Sequence, residues 1–503
     1  MPSTSAAPRT GVPRTAAIVN LGCKVNQSEM EGAARLLREA GIPLVDADRA
    51  ADLYLVNTCT VTSVADEKSR AAVRRARRAN PDARVVVTGC SVQVDPEMYA
   101  RVDPRARLIG NDEKAAFLAE LEALVGLGDP DADHAHAPLS AALPTLSGVE
   151  ADTHTHGIDG IDDDRISVER TRAFVKVQDG CSFHCTYCII PRARGDERSL
   201  TPDAVLADVR RALHAGHREI VLTGINIGTY DGGWSERGAR GSHTAATLTL
   251  AGLVRRILRE TEVERIRLSS IEPQHVDDEL LAAWTDGAPR TLPHVHLPLQ
   301  SGDDGVLRRM GRRYASDDYA RVVERVRAAI PGVALHADVI AGFPTEDDEA
   351  AARSLAFIRS LEPAGLHVFR YSARPGTPAT RMTGQVDERT RKTRAAELLA
   401  LAAESRAAFA RRSLGTTTRV LIETQLPDGR WIGHADDHVV TAVRATTAAA
   451  GDATDLENAM LTVRRASVDP DQPDRVGADI LAIDPAPRQL RPTLAVLGGA
   501  HAR

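Results

Sequence analysis

The chain has 503 residues, 43% of them hydrophobic and 26% charged, with a formal net charge of −6. That balance suits a water-soluble protein with enough apolar material for two or three cores. No apolar stretch approaches the ~20 residues of a membrane helix, and MPSTSAAPRTGVPR lacks the apolar centre of a secretory signal, so a cytoplasmic location without a membrane partner is expected. Nine acids and one arginine lie between Asp129 and Arg165, leaving the remainder about +2, so the acidic total does not exclude a nucleic-acid partner. Arginine supplies 58 of the 63 basic residues, which a GC-rich genome explains as readily as phosphate binding.

From 15 to 127, apolar runs alternate with helical periodicity. Three runs end on a thiol: AAIVNLGC on Cys23, ADLYLVNTC on Cys59 and ARVVVTGC on Cys90. After the first, Ser28 and Glu31 read as a capping box opening a helix that Gly41 stops. A second helix, Val64 to Ala79, ends before Asn80-Pro81. Cysteine intervals of 36 and 31 residues fit one strand–helix unit each. Parallel strands in such an open α/β sheet put their C-terminal ends on one edge, where ligands bind. Reduced thiols in the cytosol point to metal or catalysis rather than disulfides. Three of them on one edge can hold a metal centre, although separate buried cysteines are the plain alternative.

Residues 128–165 turn to Asp, Pro, Gly, Ala and His without periodicity and read as a disordered linker; His134, His136, His154 and His156 lie within it. Six runs follow within 166–400: AFVKVQ, EIVLTG, RIRLSS, HVHLPL, LHADVIAGF and GLHVFRYS. With helical stretches between them they predict a (β/α)6 barrel, complete or partial. Residues 231–246 read as a flexible insertion. Residues 413–484 change to short alternating strands with a turn at Pro427-Asp428-Gly429, a small all-β barrel, and 485–503 form a tail.

After the first barrel strand stands DGCSFHCTYCIIPRARGDERS. Cys181, Cys185 and Cys188 are three ligands where a structural zinc site wants four, and three thiolates on a cubane leave one iron open to a small molecule. Zinc completed by a distant histidine remains the alternative. This loop resembles the signature of the radical S-adenosylmethionine (SAM) superfamily. HLPLQSGDDGVLRRMGRRY (296–314), ADVIAGFPTEDDE (337–349) and the chain-wide order resemble its methylthiotransferase subgroup.

The resemblance implies an N-terminal open α/β sheet unit, a central radical SAM partial (β/α)6 barrel and a C-terminal TRAM-like RNA-binding barrel. It also implies two [4Fe-4S] clusters, one on Cys23, Cys59 and Cys90 and one on Cys181, Cys185 and Cys188. SAM chelated at the second would yield a 5′-deoxyadenosyl radical. Tyr187, Thr223, Gly224, Asn226, Ser270, Glu272, Gln300, Gly342 and Phe343 are the expected cofactor-binding residues, most of them at strand ends.

GCKVNQSEMEG (22–32) and NTCTVTSVADEKSR (57–70) are similar to the tRNA enzymes that convert N6-threonylcarbamoyladenosine 37 to its 2-methylthio derivative. Isopentenyladenosine 37, a ribosomal-protein aspartate, and a non-enzymatic iron–sulfur RNA-binding protein are the alternatives. An electron donor such as flavodoxin or ferredoxin, and a sulfur source, are implied partners. Arg192 stands where the family usually has tyrosine. Arg70, Arg74, Arg77 and Arg78 on one helix face, for which an ordinary solvated face is the equal alternative, Arg192, Arg194 and Arg198 after the cysteine loop, and Arg308, Arg309, Arg312 and Arg313 around Met310 are candidate phosphate contacts.

Overall fold

The computed structural model describes residues 13–125, 171–233, 248–444 and 455–484. The segment 128–165, most of the 231–246 insertion and the tail 485–503 lie outside them. Among the described residues no helix is long and apolar enough to cross a membrane.

The N-terminal unit is a parallel sheet ordered β1 (Ala16–Asn20), β2 (Leu53–Thr58), β3 (Arg84–Gly89), β4 (Arg107–Ile109). Strand β2, LYLVNT, is buried throughout because both sheet faces are covered. Leu53 and Leu55 join one core with Leu36 and Leu37 of helix α1 (Lys24–Glu39). Tyr54 and Val56 join another with Ala72, Val73 and Ala76 of helix α2 (Ser63–Ala79). The expected capping box at Ser28 is overturned: α1 starts at Lys24, its N-cap is Cys23 itself without a side-chain cap bond, and Ser28 and Glu31 lie buried inside the helix. The local pattern yielded to tertiary packing, which extends the helix back to the cysteine. Helix α2 starts one residue earlier than expected, where the Thr62 hydroxyl accepts the Ala65 N–H at 3.1 Å.

All six expected strands form the central unit. Strand β5 (Arg172–Lys176) is followed by a small hairpin, β6 (Gln178–Asp179) with β7 (Arg198–Ser199), that brackets the cysteine loop. Strands β5, β8 (Glu219–Thr223) and β9 (Arg265–Leu268) are parallel, as are β10 (His294–His296), β11 (Ala334–Ala341) and β12 (Gly365–Arg370). A single parallel bridge, Ile266 to Thr291, joins the two halves. The curved sheet is therefore a partial barrel with β5 and β12 at its edges. The N-terminal unit spans both edges: α1 packs on β5, and Arg374, just past β12, is held by Asp66 and by Thr60 at 2.8 Å.

The C-terminal unit is a closed five-stranded barrel, β13 (Thr417–Gln425), β14 (Trp431–Ala435), β15 (Val440–Val443), β16 (Met460–Val468) and β17 (Val476–Asp484), in the order β13-β14-β15-β17-β16. It packs against the N-terminal ends of the central strands, opposite the cysteine loop. There Glu219 binds Arg265 at 2.7 Å and Arg267 at 2.8 Å, and Arg265 binds Asp436 at 2.7 Å. Arg172 adds Glu423 at 3.3 Å.

Candidate active site

The N-terminal sheet delivers its three thiols together. Register pairs Asn20 with Asn57 and Thr58 with Gly89, so Cys23, Cys59 and Cys90 leave adjacent strands at one edge. Cys90 begins helix α3 (Cys90–Val94) directly after Gly89, whose φ of +100° lets the chain turn against Thr58. A Cβ at Gly89 would lie 2.3 Å from Asn57 Oδ1, so the turn needs glycine. Asn26, one turn into α1, ties the edge together: its Nδ2 donates to Asn57 Oδ1 at 3.2 Å and Thr58 O at 3.1 Å. Burial pushes the Cys59 thiol up to about 12, and Cys90 and Cys23 add to the rise. The Cys23 thiol is raised as well: the residue is exposed as a whole but its sulfur is desolvated, with Arg194 opposing the rise and Cys90 adding to it. Negative charge on Cys59 and Cys23 is thus disfavoured by the neighbouring sulfurs, as in a set of metal ligands before a cation joins them.

A cluster held by these thiolates has a prepared setting. Glu29 and Asp179, both buried, face Lys114, Lys176 and Arg194 in one network across the two units. Arg194 reaches Asp179 at 2.8 Å, Glu29 at 3.2 Å and Asn26 Oδ1. Three cations against two carboxylates leave a surplus positive charge, and Arg198 adds to it from 3.7 Å. Burial opposes the Arg194 charge, but Asp179, Cys90, Glu29 and Cys23 outweigh it and raise its pKa. Three thiolates around an iron–sulfur cubane are a net anion, which fits this surplus. Asn111 Nδ2 donates to Cys90 Sγ at 3.4 Å and to Ala193 O at 2.6 Å, fastening the helix Ile190–Arg194 over the same edge.

Glu29 predicts an acid response. Burial alone would raise its pKa, yet Lys114, Arg194 and Lys176 hold it at about 2, below its ordinary 4.5. Folding lowers this pKa, so the contribution is complete above about 4.5 and fades as pH falls toward 2; it is on the order of 3 kcal/mol. We expect the melting temperature to fall more steeply between pH 5 and 3 for the wild type than for Glu29→Gln, as calorimetry reads directly. Equal slopes would refute the assignment.

The second trio sits on a clamped loop. Thr186 N–H donates to Met310 O at 2.9 Å and Thr186 Oγ1 to Arg309 O at 2.8 Å, while Ala379 N–H donates to Thr186 O at 2.8 Å. Phe183 lies between His275, with ring centroids 5.9 Å apart, and the Arg313 guanidinium 4.3 Å from its ring. Burial pushes Cys181 up to about 11 and Cys188 up to about 12. Arg312 donates to Cys185 Sγ at 3.4 Å and pairs with Glu272. Each trio therefore has its own buried arginine. Arg194 and Arg312 are not free phosphate contacts, and Arg77 is likewise held by Asp103 at 2.8 Å. Burial and ion pairing correct that part of the sequence reading; Arg74, Arg78, Arg308, Arg309 and Arg313 remain exposed.

The other expected residues divide. Thr223, Gly224 and Asn226 close β8 beside the cysteine loop, where Gln178 Oε1 accepts the N–H of Ile225 and of Asn226, each at 2.9 Å. Both polar atoms of the Asn226 side chain are buried without a hydrogen-bond partner among the described residues, as expected of a group that awaits a polar ligand such as SAM. Ser270 Oγ lies 3.2 Å from His296 Nδ1. Gln300 holds a left-handed φ of 72° and its carbonyl accepts the Ile340 N–H at 2.9 Å. Tyr187 meets Phe343 edge-on at 6.2 Å; Phe343 is wholly buried among Val306, Met310 and Tyr371, and Gly342 faces Arg391, so these two shape the loop's support. Arg192, the departure from the family pattern, donates to Pro375 O at 2.7 Å. Sequence reading missed Asn26, Asn111 and Gln178, and only the position of Asn26 within GCKVNQ hinted at a role.

The sequence matches the radical SAM superfamily over residues 175–358 and an "Uncharacterized protein family UPF0004" over 15–110. It is 33% identical to the threonylcarbamoyladenosine tRNA methylthiotransferase MtaB of Bacillus subtilis (strain 168), over 86% of this chain and 91% of that one. It is 34% identical to the MtaB of Thermotoga maritima, over 85% and 90%. The tRNA-2-methylthio-N(6)-dimethylallyladenosine synthase of Sphingopyxis alaskensis is 33% identical, over 88% and 95%. Among solved structures, the radical S-adenosylmethionine methyltransferase TsrM from Kitasatospora setae is similar at a TM-score of 0.49 and 16% identity, over 73% of this chain and 75% of that one. Because the likeness to the curated relatives runs nearly end to end and carries both cysteine-bearing units, this chain belongs to the methylthiotransferase family of radical SAM enzymes.

Proposed function

We propose that this enzyme converts N6-threonylcarbamoyladenosine 37 of tRNA to its 2-methylthio derivative, with one [4Fe-4S] cluster on each cysteine trio. When bound, the cluster at Cys181, Cys185 and Cys188 supplies reductive cleavage of SAM, and the one at Cys23, Cys59 and Cys90 supplies the sulfur to be inserted. The observation that carries the two-cluster reading is the pair of thiol trios, each beside its own buried arginine, with Arg194 six residues past Cys188. Arg194 closes the first trio's edge, Arg312 orients Cys185, and the N-terminal unit packs across both edges of the partial barrel. A C2–H of adenine is too weakly acidic for base catalysis, which is why radical chemistry is needed. Exposed Arg308, Arg309 and Arg313 around the loop suit phosphate contacts. The reaction then belongs in the cytoplasm and draws on an electron donor of flavodoxin or ferredoxin type and on a separate sulfur donor.

Similarity to relatives named for threonylcarbamoyladenosine, together with GCKVNQSEMEG, supports this substrate. The relative named for dimethylallyladenosine, at comparable identity, supports isopentenyl-type adenosine as a second reading. The chain should be expressed in a bacterium deleted for both of its own tRNA methylthiotransferases, and tRNA nucleosides resolved by mass spectrometry. We expect 2-methylthio-N6-threonylcarbamoyladenosine to be restored; restoration of only the dimethylallyl derivative selects the second reading. Restoration of neither discards a tRNA substrate and leaves a ribosomal-protein acceptor or a non-enzymatic role.

A further inference from the structure

A (β/α) barrel normally fills its interior with branched aliphatic side chains. Here the inward faces of β10, β11 and β12 instead carry His294, His296, His336, Asp338 and His367, while Val295, Leu335, Ala337, Val339 and Leu366 point to the helices. The polar side chains form two layers. In the upper one, Asp338 Oδ1 lies 2.8 Å from His296 Nε2 and 3.0 Å from His367 Nδ1, so hydrogen bonds already close it.

The lower layer differs. His294 and His336 meet His438, which comes from the turn between β14 and β15 of the C-terminal barrel. Ring centroids are 4.7 Å apart for His294–His336 and His294–His438, and 5.4 Å for His336–His438. One ring nitrogen of each residue lies within 4.8 Å of those of the other two. His294 is 6% exposed, and its Nδ1 has no hydrogen-bond partner among the described residues. Room for the His336 ring comes from Gly365 on β12, where a Cβ would lie 2.3 Å from His336 Cδ2. The turn is braced on both sides: Asp436 binds Arg265 at 2.7 Å, and Asp437 binds Arg465 at 2.8 Å. His438 holds a left-handed φ of 69° there, a costly conformation for this residue that aims its ring at the barrel base. The adjacent Arg267 is paired with Glu219 at 2.8 Å, a carboxylate it shares with Arg265.

We propose that His294, His336 and His438 form a binding site for an imidazole-preferring divalent transition metal, zinc foremost, which staples the C-terminal barrel to the base of the SAM barrel. Three imidazole nitrogen donors select against the hard, oxygen-seeking cations. Zn–N bonds of about 2.0–2.1 Å place tetrahedral donors roughly 3.3 Å apart, so small ring rotations close the site and leave a fourth position for water. The site uses none of the six cysteines and does not depend on which nucleoside is the substrate.

The test uses the full-length, anaerobically prepared protein with its clusters in place, equilibrated with one equivalent of Zn²⁺ and desalted. Zinc K-edge absorption should show a nitrogen shell at about 2.0 Å without sulfur. His438→Asn, which keeps a residue tolerant of the left-handed backbone, and His294→Gln should each lower retained zinc at least about tenfold while iron content and SAM cleavage stay at wild-type levels. A sulfur shell would place the zinc on the cysteines and overturn the proposal. So would failure to retain zinc, or a nitrogen shell that survives both substitutions.

Discussion

Cys188→Ala should reduce 5′-deoxyadenosine formation to background, whereas Cys90→Ala should leave that cleavage running and abolish only the methylthio product. The two trios belong to different sheets, one at the edge of the N-terminal sheet and one on the loop after β6, and each is steadied by its own partners. Removing one thiolate from a three-ligand set leaves its cluster too few protein ligands to be retained, and the other set keeps all of its own. Iron and sulfide per chain should therefore fall by one cubane's worth in either variant and by both in the double variant. The product assay separates the roles: SAM cleavage follows the second trio, and sulfur insertion needs both. If Cys90→Ala stops SAM cleavage in protein that retains the second cluster, the division of labour proposed here is wrong.

The fold was largely readable because its signals are periodic. Six apolar runs became six parallel strands, and the change to short alternation after 413 became a closed barrel. The first cysteine trio was readable for the same reason, since β2 and β3 end immediately before Cys59 and Cys90. What stayed hidden depends on contacts between distant segments. Ser28-x-x-Glu31 carries every local mark of a helix start, yet packing begins α1 at Lys24 and buries both residues. Arg194 and Arg312 look like solvent-facing cations in a linear string, but folding brings Glu29, Asp179 and Glu272 against them. The inward histidines escaped notice because HVHLPL and LHADVIAGF read simply as strands, and alternation alone does not say which face meets helices. His438 lies 102 residues beyond His336, so no local spacing could join them.

Glu219→Gln should be the most destabilising single change away from the cysteines, at about 3–5 kcal/mol. Glu219, Arg265 and Arg267 are all but fully buried, and the carboxylate bridges both guanidiniums at 2.7 and 2.8 Å. Those arginines also grip the C-terminal barrel: Arg265 donates to His434 O at 3.2 Å and binds Asp436, and Arg267 donates to Ala435 O at 3.4 Å. Glutamine keeps the shape but takes from Arg267 its carboxylate partner, since Arg267 otherwise reaches the backbone carbonyls of Ala435 and Asp436, and leaves Arg265 with the Asp436 carboxylate that Arg419 also uses. Burial works to raise the Glu219 pKa, yet Arg267, Arg265 and Arg172 hold it far below the ordinary 4.5. A lowered folded pKa means this contribution is present above about 4.5 and is lost as acid titrates the carboxylate, so the gap between wild type and variant should be widest at neutral pH and narrow at low pH. Calorimetry of the intact chain at pH 7 gives the loss directly. Replacing all three residues by apolar ones of similar volume should recover much of it, because an uncompensated charge costs more than an absent pair contributes. A loss below about 1 kcal/mol for Glu219→Gln, the range of a surface pair, would mean that water reaches these guanidiniums and that the C-terminal barrel is held by other contacts.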